Sequence, residues 1–198
     1  MKLGIQIALA LAIVALSYFV YDSIYSKIQF EKETQRRKDL VVERLKDIRT
    51  TQITYKNTKG YYADNFDSLV DFVKYGKMSI IKQIGDADDS LQVAQGLVIR
   101  DTIYISVSDT LFSKSQVQGR LRPFHIDSMS TVPFSGGQKF VLNAGEIEKN
   151  KVKVKVFEAF ASFENMYKGL NTANHSIKLH EGLRVGSMTE PSTSGNWE

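Results

Sequence analysis

From Leu3 to Val20 the chain carries no charge, and Gln6 and Ser17 are the only polar side chains in a run of Leu, Ile, Ala, Val, Tyr and Phe. At about 1.5 Å per helical residue the run reaches roughly 27 Å, against a hydrocarbon core of about 30 Å, with Tyr18 and Tyr21 at the interface. A cleaved signal peptide is the competing reading. The run is longer than a usual h-region, and Tyr18 to Tyr25 offers no small-x-small cleavage site, so the pattern predicts a retained anchor over residues 1–22. Gly4, Ala8 and Ala12 stand four apart on one face and leave a shallow groove, a membrane contact for a partner helix.

Beyond the anchor nothing stops the helix. No proline occurs before Pro123 and no glycine between Gly4 and Gly60, so the pattern predicts a continuous stalk over residues 23–59. Glu31 to Asp39 is polar on every side and is expected to be solvated. Val41, Leu45, Ile48, Gln52 and Tyr55 then recur at alternating steps of four and three, a stripe that the rest of the chain is expected to cover. Gly60 suits the residue just past a helix end.

The remaining pattern predicts a soluble α+β unit over residues 60–185. Asp67 to Tyr75 reads as a short helix capped by Asp64, Asn65 or Asp67 and ending at Gly76. Met78 to Ile84 reads as a strand, Asp86 to Ser90 as a loop, and Val98 to Phe112 as a strand or hairpin rich in β-branched residues. Gly119 to Gly137, with Pro123, Pro133 and two adjacent glycines, reads as a long connection. Lys139 to Asn143 and Lys151 to Phe160 read as strands joined through 144–150. Phe163 to Leu170 follows as a helical turn, Ile177 to Leu179 as a further strand, and 186–198 as a flexible tail. Val152, Val154 and Val156 alternate with Lys151, Lys153 and Lys155. One face is expected inside, while the lysines guard a strand edge or form a candidate docking row.

Composition narrows the function classes. An apolar fraction of 42% argues for a packed core, and the net charge of +4 is too modest and scattered to imply a nucleic-acid partner. There is no cysteine, which excludes disulfides, thiolate metal sites and thiol chemistry. His125, His175 and His180 are the only histidines. His175 and His180, five apart, share neither a helical nor a strand face, so a zinc site is not expected. Asp86, Asp88 and Asp89 offer oxygen ligands but lack a calcium-loop spacing. No nucleophile elbow or phosphate loop is present, so no catalytic residue, metal or cofactor is expected.

A membrane helix continuous with a stalk whose C-terminal half packs on an antiparallel sheet resembles type IV pilins and type II secretion pseudopilins. The run Leu45 to Lys56, then Gly60-Tyr61-Tyr62-Ala63 and Phe66-Asp67-Ser68-Leu69, is similar to the end of that family's first helix. The resemblance covers the layout of about residues 1–75. In the family a processed glycine is followed, five residues into the mature chain, by a glutamate. Here Gly4 precedes Ile5 and the fifth position is Leu9, which fits a minor, tip-like or unprocessed relative.

The resemblance implies a pilin-like α+β fold and other protein subunits as partners, self or heteromeric, through the N-terminal helix. It also implies a single pass in the cytoplasmic (inner) membrane, with a periplasmic C-terminal domain. Lys27, Lys32, Arg36, Arg37 and Lys38 favour the opposite side by the positive-inside rule, and the resemblance is given the greater weight. The expected function is a non-enzymatic structural or assembly subunit of a pilus- or secretion-type envelope machine. The alternative is a tethered extracytoplasmic module that captures a peptide, glycan or envelope partner through the lysine row or the Gly119 to Gly137 loop.

Overall fold

The computed structural model describes residues 2–84, 88, 99–173 and 175–198. Helix α1 runs unbroken over Lys2–Lys59. It closes at Gly60, whose backbone at φ +87° lets its N–H donate to the Lys56 carbonyl at 2.7 Å. Helix α2, Phe66–Tyr75, is capped by the Asn65 side chain, which accepts from the Ser68 N–H at 2.8 Å. Its Phe66, Leu69, Phe72 and Val73 turn inward.

Two antiparallel sheets follow. Strands β1 (Lys77–Ile84) and β2 (Ile99–Ser106) form a two-stranded ribbon. Short helices α3 (Val107–Leu111) and α4 (Lys114–Val117) and a 3-10 turn at Ile126–Ser128 lead into the second sheet. That sheet has the order β3 (Val141–Lys149), β4 (Val152–Ser162), β5 (Gly182–Gly186), with α5 (Phe163–Met166) between the last two strands.

The C-terminal half of α1 packs on β4, β5, α2 and α5. Val41, Leu45, Ile48 and Gln52 are wholly buried there, and Tyr55 is buried edge-on to Phe72. They meet Phe157, Met129, Met166 and Leu69, so one core joins helix and sheet. The covered face is wider than the apolar stripe. Thr51 and Thr54 are also buried, each donating its hydroxyl to the carbonyl four residues back, Asp47 and Thr50. A threonine satisfied by its own helix can enter a core without a distant partner.

Several expectations are corrected. The segment 144–149 is strand rather than connection, because the hairpin needs only Asn150 and Lys151, both at positive φ as a tight turn of this twist requires. The last strand is Gly182–Gly186, and Ile177 to Leu179 is irregular. Beyond Ser106 the residues through Leu111 are helical rather than a hairpin. Glu31 to Asp39 is not solvated on every side: Thr34 is buried, and Arg37 donates to the Met166 and Lys168 carbonyls at 3.1 and 3.0 Å. A guanidinium at the end of a long stem lets a polar helix face dock onto backbone. Within 186–198, Gly195 bridges to Val185, the Asn196 amide donates to the Gly182 carbonyl, and Glu198 pairs with Arg49 at 2.6 Å.

Gly186 sits at φ +77°, and a Cβ there would lie 2.2 Å from the Phe157 carbonyl oxygen. Replacing it with alanine combines backbone strain with a clash against the central strand. Gly186→Ala is expected to cost about 2 kcal/mol, read as a drop of about 4–8 °C in the thermal midpoint of the full chain in detergent. An unchanged midpoint would mean that β5 does not dock this tightly.

Candidate functional site

Among the described residues three surfaces and several clefts, one of them basic, remain once the core is assigned. The first is the N-terminal part of α1. It holds the one stretch among the described residues long and apolar enough to cross a bilayer, and none of that stretch is buried by the rest of the chain. Leu3, Leu11 and Phe19 are 71%, 66% and 68% exposed. Gly4 and Ala12 are exposed on this helix, and a Cβ at Gly4 would meet nothing within 4 Å. The Ala8 side chain lies outside the described residues. Small residues facing open space would let a second helix approach closely.

The second surface is the ribbon. Ile81 and Tyr104 are 66% and 68% exposed, with Ile80 and Ile103 paired across the strands and also exposed. A two-stranded ribbon is marginal alone in water, and exposed apolar side chains on it suit contact with another protein.

The lysine row is the third, and cross-strand pairing alters it. Lys153 stands opposite Glu148, and Lys155 opposite Glu146, with which it forms an ion pair that also holds the glutamate below its ordinary range. Lys151 occupies the turn. The row is therefore partly neutralised. Val152 is 60% exposed while Val156 is buried, so only the sheet end of this strand faces the core. Strand β5 covers only Glu158–Ser162, which leaves the lysine half of β4 with an open edge.

The Gly119 to Gly137 segment folds back against α1 and forms a cleft of about 330 Å³ lined by Arg44, Arg122, His125, Ser128, Thr131 and Phe134, among others. Arg44 and Arg122 stand in its wall, and Arg120 lies in a small adjoining recess that both of them also line. Arg120 pairs with the buried Asp47 at 2.7 Å, and its guanidinium lies 5.1 Å from the Phe124 ring, which stacks on Phe112. Burial raises the Asp47 carboxyl above its ordinary value more than Arg120 lowers it, and burial pushes the Arg44 guanidinium down. Arg44 stays charged and donates to the Ser128 carbonyl and hydroxyl.

Phe134, at φ +65°, is gripped by Arg36, Arg37 and Arg122, with guanidinium carbons 5.1, 4.6 and 4.6 Å from its ring centre. Arg36 and Arg37 in turn hold the Glu33 carboxyl down to about 2 through paired hydrogen bonds. This constellation is not visible along the chain. Its one local signal is an aromatic placed between Pro133 and the glycine pair, a poor match to a solvated turn.

The three histidines line three different surfaces. His125 lines the arginine cleft, His180 lines a shallow groove with Glu158, Glu181 and Arg184, and His175 stacks on Phe30 with ring centres 3.5 Å apart. Among the described residues no three histidine or carboxylate side chains gather as a metal site. Asp86 and Asp89 lie outside the described residues. The His175 stack closes a further cleft of about 410 Å³ between α1 and the following loop, lined by Ser23, Ser26, Lys27, Phe30, Asn171 and His175. No protein-family model, curated protein or solved structure matches this chain.

Proposed function

We propose that the chain is a single-pass, membrane-anchored, non-enzymatic subunit or assembly factor of a pilus- or secretion-type envelope machine, with a pilin-like body outside the cytoplasmic membrane. One observation carries this reading: a single helix is wholly exposed and apolar at one end and forms the spine of an α+β core at the other. Such a helix transmits position rigidly from bilayer to body, which suits a subunit that packs side by side with others. The exposed ribbon of Ile80, Ile81, Ile103 and Tyr104 supplies an apolar contact for a neighbour.

The arginine cleft favours a second reading, a tethered module that captures an anionic group on a peptide, glycan or envelope partner. Arg44 and Arg122 both line a recess with the Thr131 hydroxyl, the Ser128 hydroxyl being turned to the His125 carbonyl, and two guanidinium groups with a hydroxyl form a donor set for a carboxylate or sulfate.

Protease access to residues 60–198 in spheroplasts, with the mass of the mature N-terminus read from the same sample, tests the leading reading. The expected result is an accessible body. The mass then separates a chain cut after Gly4 from one that keeps Met1. A protected body would place it in the cytoplasm and overturn the pilin-like assignment.

A further inference from the structure

The cleft between α1 and the loop after α5 lies where the helix leaves the apolar stretch. Ser23, Ser26, Lys27 and Phe30 follow an i, i+3, i+4, i+7 spacing, so they share one helix face. Asp22 and Glu31 sit about 100° round the helix from their neighbours on that face. The loop is held against it from the other side. Arg37 binds the Met166 and Lys168 carbonyls, the His175 N–H donates to the Thr172 carbonyl at 3.1 Å, and the His175 ring lies flat on Phe30 at 7°.

The polar groups facing this space are donors. The Asn171 side-chain oxygen already accepts from the Ala173 N–H at 3.3 Å, which leaves its amide hydrogens for a ligand. The Ser26 hydroxyl is turned to the Ser23 carbonyl, which among the described residues leaves Ser23 as the free hydroxyl of the pair. Among the described residues the Lys27 ammonium has no ion-pair partner. Among the described residues no carboxylate lines the cleft. An ammonium, a hydroxyl, an amide and an imidazole around a polar recess suit a phosphate.

Height along the helix selects the source of that phosphate. Ser23 stands about 4.5 Å past Val20 along the axis and Lys27 about 10 Å. The headgroup layer on one side of a bilayer is about 5–7 Å deep, and a lysine side chain reaches down toward it from just above.

We propose that this cleft binds the phosphate of an anionic glycerophospholipid headgroup, and that the headgroup thereby fixes the rotation and tilt of the body on the membrane. The inference rests on the anchored reading above. In it Lys27 and His175 contact the phosphate, Ser23 and Asn171 donate to its oxygens, and Phe30 holds the His175 ring in place.

The test uses the full chain with a single cysteine, Ala173→Cys, which is unique because the sequence has none. An environment-sensitive fluorophore on it is followed in phosphatidylcholine nanodiscs as the phosphatidylglycerol fraction is raised. The expected result is a saturable emission shift whose midpoint moves to about fivefold higher phosphatidylglycerol in Lys27→Gln, the effect of removing one cation near an anionic surface. His175→Ala is expected to shift it in the same direction, and Lys59→Gln, exposed at the far end of α1, not at all.

Chain that inserts into the discs but gives no phosphatidylglycerol-dependent shift, or a shift that Lys27→Gln leaves in place, overturns the headgroup site and leaves the anchor intact. Chain that fails to float with liposomes overturns both. The same shift produced by inorganic phosphate on detergent-solubilised chain overturns the lipid assignment.

Discussion

Arg120→Met is expected to destabilise the folded body by about 4 kcal/mol at neutral pH, because it strands a buried carboxylate. Asp47 is 7% exposed at its side chain, and Arg120 is its ion-pair partner. The sign of the pH dependence follows from burial. The folded carboxyl of Asp47 is raised above its ordinary 3.8, so the folded state holds that proton more tightly than the unfolded state does. The cost of ionising Asp47 is in force above the raised folded value and is relieved as pH falls through it toward 3.8. Losing Arg120 raises the folded value further.

The gap between variant and parent should therefore be widest near pH 7 and narrow on acidification. Thermal midpoints of the full chain in detergent at several pH values would check it, with a drop of about 8–16 °C expected at pH 7. A gap of the same size at every pH would assign the loss to packing of the guanidinium on Phe112 and Phe124, not to charge. Arg120→Lys keeps the charge and is expected to recover part of the loss.

Gln52→Leu is expected to cost about 3 kcal/mol although it places a larger apolar group in an apolar core. Gln52 is fully buried, and its amide closes both backbone groups of one residue: it donates to the Ala63 carbonyl at 2.7 Å and accepts from the Ala63 N–H at 2.9 Å. Leucine leaves both groups buried and unpaired, at about 1–3 kcal/mol each. This link ties the end of α1 to the chain that returns into α2, so the loss should appear as weakened packing of Tyr62 and Phe66 as well as a lower midpoint. Gln52→Glu keeps the acceptor and loses the donor. It should recover stability as its carboxyl is protonated, and no recovery would mean that the Ala63 carbonyl finds another donor.

Much of this architecture is legible in the sequence. The absence of Pro and Gly over Ile5 to Lys59 makes one helix the cheapest backbone. Steps of four and three at Val41, Leu45, Ile48, Gln52 and Tyr55 place them on one face whatever covers it. Gln52 in that stripe showed where, not why: its amide is needed by a backbone eleven residues on, a contact with no local trace. The hairpin was displaced because Asn150 and Lys151 are not the usual glycine-containing turn pair. The strand after α5 was misplaced because Leu183 and Val185 give too short an alternation to stand out beside Ile177 and Leu179.

The candidate sites divide along the same line. A run of apolar residues long enough for a bilayer, a helical stripe and a strand alternation are local periodicities, and periodicity is carried by the chain itself. Which charges meet is not. Lys155 opposite Glu146, Arg120 on Asp47, three arginines on Phe134 and His175 on Phe30 join residues from 9 to 145 positions apart. Pairing at that separation is decided by strand register and by packing of the body on the stalk, since neither charge nor ring geometry has a preferred partner until tertiary structure brings one within reach.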